Sequence, residues 1–319
     1  MSRTIILDTD IDMDCDDVGA LAALHALSQR EEADLLGVVC SVPYPPTAGC
    51  VRAINRFYGR PDIPVGLLMG ERLDESPRFE VYRAELAKES TEQWSRYNGA
   101  IAQECRHPED RTWSPGDAVE LYRTLLANRT DRSVTIVAIG LLTALQKLLH
   151  SGPDEASPLT GTELVRAKVR ELVTMGLGTF PEGHDAYNWG MDREAAADVL
   201  GSWPTRLVVN ELGETILTGS GLARSHPEHS PVRRAYEIYL GGPGRDRCSW
   251  DQVTVLYAVR GRRHCFRERS GYRIRYDAAS GTHRWTRDHS GAVDHVHLEQ
   301  TASDREIAAE IEDLMAYVR

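Results

Sequence analysis

With 319 residues the chain is long for one domain but within reach of one large α/β unit, and 48 Asp and Glu against 37 Lys and Arg give a formal charge of −11. That balance excludes a broad grip on nucleic-acid backbones unless basic residues cluster, and the one short cluster, 260–269 with five arginines, reads as part of a surface hairpin. The six cysteines (Cys15, Cys40, Cys50, Cys105, Cys248, Cys265) form no CxxC pair, and no apolar signal segment opens the chain, so reduced thiols in a cytoplasmic protein are expected.

Residues 4–8 (TIILD) are a short apolar run ending in a carboxylate, the pattern of a buried parallel strand. A helix is expected over 18–27, with Val18, Leu21, Leu24 and Leu27 at helical intervals. Strand 35–40 (LLGVVC) and helix 47–58 repeat the unit. Helix 117–127 then feeds strand 134–139, and helix 141–149 follows. Strand 171–175 is stopped by the glycines of MGLG, helix 192–200 opens on Asp192 as N-cap, and 206–210 is a further strand. Residues 272–285 (YRIRYDAASGTHRW) alternate around a turn and predict a hairpin, while 304–319 predict a final helix with Ile307, Ile311, Leu314 and Val318 on one face. No apolar run nears the roughly 20 residues that span a bilayer.

Repeated β and α units of this size predict an α/β fold: a mostly parallel, Rossmann-like open sheet flanked by helices, ending in a C-terminal hairpin and helix. No repeat, low-complexity tract or linker divides the chain, so one domain over 1–319 is expected. Sheets of this kind bind ligands at the carboxyl ends of their strands.

At the end of the first strand stands ILDTDIDMDCDDVGAL, with Asp8, Asp10, Asp12, Asp14, Asp16 and Asp17 within ten residues. Carboxylates this close resist joint ionisation unless something positive sits among them. One or two aspartates would serve as helix caps, but six exceed that role. An EF-hand loop also repeats D-x-D-x-D, yet it needs a glycine at its sixth position and a glutamate at its twelfth, and both are missing here. A catalytic metal or phosphoryl site at a strand end remains.

Asp8-Thr9-Asp10 followed by Asp16-Asp17 and an Ala/Leu helix resembles the opening motif of the nucleoside hydrolases, in a variant with a longer loop. VTIVAIGLLTAL (134–145) is similar to the family's strand and glycine turn, with Leu142 where proline is common and Ala144 where asparagine is common. LVTMGLG (172–178) resembles its central strand and turn, and Asn188, Asp192, Glu194, Ala195 and Ala196 reproduce the spacing N-x-x-x-D-x-E-A-A. Trp250-Asp251 in SWDQVTVLYAV falls where the family places a metal-binding aspartate at a helix start.

The resemblance implies a nucleoside hydrolase-like domain and a calcium-dependent N-ribohydrolase of the inosine/uridine-preferring kind. Asp10 would bind calcium and serve as the base. Asp17, the backbone carbonyl of Ile139, and Asp251 would complete the protein ligands. Asp16 and Asn188 would hold ribose hydroxyls, with Asp251 also near the sugar. The expected partners are a small nucleoside or N-riboside and further copies of the chain, as a dimer or tetramer, with neither nucleic acid nor membrane involved. Bond breaking builds positive charge on the ribose, which nearby carboxylates stabilise.

Three departures from the family stand out. Ala186 replaces the glutamate usually found two residues before the asparagine, with Asp185 nearby as a substitute. Asp12 replaces a glycine, so a shifted register would make Asp12 the base; the strand TIILDTD favours Asp10. Trp250 replaces a histidine that acts as acid, which resembles the purine-preferring branch where the base is stacked; simple packing is the other reading of a large aromatic. Tyr44, Trp94, Tyr97, Tyr187 and Trp189 are further candidates for the pocket wall, and His184 for a substrate contact. Cys15, amid negative charge, makes a poor nucleophile. Two other functions compete: a haloacid dehalogenase-like, magnesium-dependent phosphohydrolase, which also opens hhhhDxD, and a ribose- or nucleoside-binding protein that kept the fold but lost turnover.

Overall fold

TIILD lies at the centre of the molecule, and its alternation sets the layers. Ile5 and Leu7 face one side of the sheet and Ile6 the other, all fully buried, as the two-residue side-chain period requires. The computed structural model describes residues 2–89, 97–178, 180–263, 265–291 and 294–319. Its first half runs β1 (Arg3–Thr9), α1 (Asp16–Gln29), β2 (Ala33–Cys40), α2 (Pro45–Phe57), β3 (Val65–Leu67), α3 (Glu80–Glu89), α4 (Tyr97–Glu104), β4 (Gly116–Asp117), α5 (Ala118–Ala127), β5 (Val134–Ala138) and α6 (Thr143–His150). Then come α7 (Gly161–Lys168), β6 (Val169–Met175), β7 (Glu182–His184), α8 (Arg193–Ser202), β8 (Arg206–Asn210), β9 (Leu217–Thr218), α9 (Leu222–Ser225) and α10 (Pro231–Leu240). The chain closes with β10 (Arg247–Cys248), α11 (Trp250–Arg260), β11 (Phe266–Asp277), β12 (Thr282–Arg287), β13 (His295–Gln300) and α12 (Asp304–Met315).

The main sheet has the order β4-β3-β2-β1-β5-β6-β8-β13-β11-β12-β7. It is parallel as far as β13 and antiparallel beyond it. One face is covered by α1, α2, α11 and α12, the other by α5, α6 and α8. Helix α1 is buried along 16–27 because it lies between the sheet and both α11 and α12, which explains its all-round apolar sequence. Among the described residues no helix is long and apolar enough to cross a membrane.

The expected strands and helices are present, with shifted ends. Helix α2 begins at Pro45, a proline suited to a first helical turn, and α12 stops at Met315, so Val318 lies beyond it. Asp192 caps α8, accepting from the Ala195 N–H at 3.1 Å. The hairpin of β11 and β12 is no appendage: β13 pairs with β8 and β11 and draws it into the main sheet. The arginine cluster is likewise corrected. It spans the end of α11 and the start of β11, and its charges are matched: Arg260 bonds Glu32 at 2.6 Å and also Glu310, Arg263 meets Glu32 at 3.4 Å, Arg262 meets Glu268 at 3.9 Å, and Arg267 and Arg269 share Glu299.

Candidate active site

Strand β1 delivers its last residues to the carboxyl edge of the sheet, and residues 10–15 turn sharply into α1. Two backbone features shape that turn. Ile11 is held at φ +38°, a strained value for a β-branched residue. Its N–H donates to Asp17 Oδ1 at 3.2 Å and its carbonyl accepts from Asn98 Nδ2 at 3.0 Å, so both sides of the strained residue are tied down. Gly140, after β5, lies so close that an added Cβ would meet the Asp10 nitrogen at 2.4 Å and Ser41 Oγ at 2.6 Å. Only glycine lets this strand end press against Asp10.

Asp10, Asp16, Asp17 and Asp251 line a cavity of about 670 Å³, and each is at most 6 % exposed. Asp16, Asp17 and Asp251 offer oxygens that all lie within 4.8 Å of one another, a trio that does not include Asp10. Asp17 also accepts from the Thr9 hydroxyl, and Asp16 Oδ2 accepts from the Asp251 N–H at 3.2 Å. Burial first, then the Asp12 and Asp16 charges, pushes the Asp10 carboxyl up to about 8. Burial and neighbouring aspartates likewise push Asp16, Asp17 and Asp251 well above the carboxylate range. Such a set is costly in isolation, and its donors are all oxygen. Both features fit a hard divalent cation such as calcium.

The other expected residues divide clearly. Ile139, Asn188 and Trp250 line the same cavity, and Asn188 Nδ2 donates to the Ile139 carbonyl at 2.9 Å. Asp12 points elsewhere: the Tyr82 hydroxyl donates to it at 2.5 Å and Asn98 Nδ2 at 3.0 Å, while burial raises its carboxyl to about 6. Asp8 is buried against the Tyr122 hydroxyl at 2.5 Å. Asp185 does not substitute for a carboxylate at Ala186. Its oxygens accept the Leu177 and Tyr187 N–H groups, both at 2.7 Å, and brace the loop. His184 lies in β7 and lines a different cavity, beside the β11–β12 hairpin. Of the aromatic candidates only Tyr187 joins Trp250 in the wall; Trp189 and Tyr97 are buried, Tyr44 lines another cavity, and Trp94 lies outside the described residues. Cys15 is fully buried, and burial with the Asp14 and Asp16 charges pushes its thiol far up.

Several wall residues had no sequence signal, Arg247, Tyr239 and Glu211 among them. Arg247 grips Asp14 through Nε at 2.9 Å and Nη2 at 2.5 Å, and its guanidinium carbon lies 5.3 Å from the Trp250 ring centre and 5.6 Å from that of Tyr239. Glu211, just past β8, is bonded by His297 Nε2 at 2.7 Å. These pairings join distant segments, and only Arg247, three positions before Trp250, stands near an expected residue.

The family model described as inosine-uridine preferring nucleoside hydrolase matches residues 5–308. Among curated proteins none matches. A plant nucleoside hydrolase superposes with a TM-score of 0.69 at 20 % identity, covering 99 % of both chains. The type III effector protein XopQ, solved with adenosine diphosphate ribose, gives 0.70 at 18 % identity over 99 % of this chain and 93 % of its own. A purine-preferring ribonucleoside hydrolase from Gardnerella vaginalis gives 0.64 at 15 % identity over 98 % of this chain and 99 % of its own. At these identities the likeness is one of fold.

Proposed function

From the premise that this chain belongs to the inosine-uridine preferring nucleoside hydrolase family, we propose that it uses calcium to hydrolyse the N-glycosidic bond of ribonucleosides, purine nucleosides foremost. The observation that carries this reading is the group of four buried aspartates facing one cavity together with Asn188 and Trp250. Asp10, Asp17, Asp251 and the Ile139 carbonyl would hold the ion. When bound, calcium supplies a positive charge that acidifies and orients a neighbouring water.

Asp10 takes the proton from the attacking water, the role of a general base within reach of the sugar. Asp16, one oxygen fixed by the Asp251 N–H, turns the other to a ribose hydroxyl, and Asn188 holds a second. The buried negative charge of the cluster stabilises the oxocarbenium character that builds on the ribose. Trp250 offers its ring to the base.

Ala186, exposed and carrying no polar group, motivates a second reading: a nucleoside binder without turnover. Purified protein with inosine, adenosine, uridine and nitrophenyl riboside, each with and without a chelator, separates the two. Ribose released only with metal present supports hydrolysis. Thermal stabilisation by nucleoside without ribose release overturns it in favour of binding. Uridine cleaved as fast as inosine removes the purine preference.

A further inference from the structure

The described residues lining the cavity include no histidine and no lysine, and Arg247 is their single cation. Its position is determined on three sides. Nε and Nη2 are committed to Asp14, while the guanidinium lies against Trp250 and Tyr239. Asp14 lies in the turn between Asp10 and Asp16, so the clamp ties the guanidinium, on the cavity wall, to the segment that carries those carboxylates. Nη1 takes no part in the pair with Asp14. A guanidinium stacked on an aromatic ring and fixed by a carboxylate presents its remaining N–H groups in a set plane.

Resting on the hydrolase reading above, we propose that Arg247 contacts the leaving base and donates a hydrogen bond to the nitrogen or oxygen that gathers charge as the bond breaks. In that step the C1′–N bond breaks and its electron pair passes to the base. The water oxygen bonds to C1′ and its proton goes to Asp10. The departing base is later protonated by solvent. Arginine does not give up a proton in proteins, so its part is charge stabilisation and not acid catalysis. The contact selects leaving groups with an acceptor edge, as purines have, over those that depart unaided.

The test compares inosine with nitrophenyl riboside, whose phenolate leaves without assistance. Arg247→Ala is expected to lower kcat/KM on inosine by about 10²- to 10³-fold, the scale of losing one preorganised donor. On nitrophenyl riboside the loss should stay within about fivefold. Arg247→Gln, which keeps bulk against Trp250, is judged by the same ratio if the alanine variant is unstable. Equal losses on both substrates, in whichever variant folds, overturn the proposal and leave Arg247 as a brace for the Asp14 loop. If the unmodified protein cleaves neither riboside, the hydrolase reading falls and this one with it.

Discussion

In the cavity wall Asp10, Asp16, Asp17 and Asp251 hang from the end of β1 and the first turns of α1 and α11, and each is almost wholly buried. Trp250, Tyr239, Arg247 and Glu211 line the same cavity and keep part of their surface exposed. The first group is placed by backbone: two parallel strands, a glycine contact and two helix starts leave its carboxylates little freedom. The second is placed by side chains gripping one another, Arg247 on Asp14 and two rings, Glu211 on His297. A rigid acidic group suits chemistry on the sugar, common to every substrate. A wall held by side chains suits recognition of a leaving group, which differs from one substrate to the next. The Asp14–Arg247 pair joins the two groups.

If that division is right, damage to the acidic group strikes every substrate alike. Asp10→Asn should lower turnover of both inosine and nitrophenyl riboside by at least about 10²-fold, as expected for loss of a general base. The thermal midpoint should not fall, because one charge leaves a crowded set. Inosine alone losing activity would show that the division does not hold.

Asp12→Gly sharpens the same boundary from the stability side. Tyr82 would be left buried without its acceptor, and Asn98 would keep only the Ile11 carbonyl. The expected cost is about 1–3 kcal/mol of unfolding free energy, read from urea denaturation. Turnover should stay within about tenfold of the unmodified protein, since Asp12 lies behind the cavity and touches no reacting group. Loss of turnover to the degree seen for Asp10→Asn, without loss of stability, would move the base two residues on.

What the sequence disclosed follows the same line. TIILD, VTIVA and LVVN are continuous apolar runs, and such runs report buried parallel strands directly. The aspartate crowd was legible because no ordinary turn needs six carboxylates. Asp10 was preferred to Asp12 only by counting from the strand. The role of β13 was hidden, because it depends on pairing with β8 and β11, which no local period records. The Arg247–Asp14 pair, 233 positions apart, was hidden for the same reason. Asp185 looked like a substitute for the missing glutamate's sugar contact and proved to be a loop brace, a difference set by the backbone N–H groups around it.

The smallest effect is expected at Trp250, which belongs to both groups. Its backbone opens α11 one residue before Asp251, while its ring belongs to the wall. Arg247 occupies one face of that ring, so a purine has the other face or an edge to stack on. Offset stacking contributes about 0.5–1.5 kcal/mol beyond burial, which converts to about a 2- to 13-fold loss of kcat/KM on inosine for Trp250→Ala. Nitrophenyl riboside should change by less than inosine does. Because the indole also steadies the guanidinium, Trp250→Ala combined with Arg247→Ala should cost less than the product of the separate losses, the signature of residues in contact. Losses that multiply in full would mean that tryptophan and arginine act on the base independently, and the wall would then have to be read as two separate contacts.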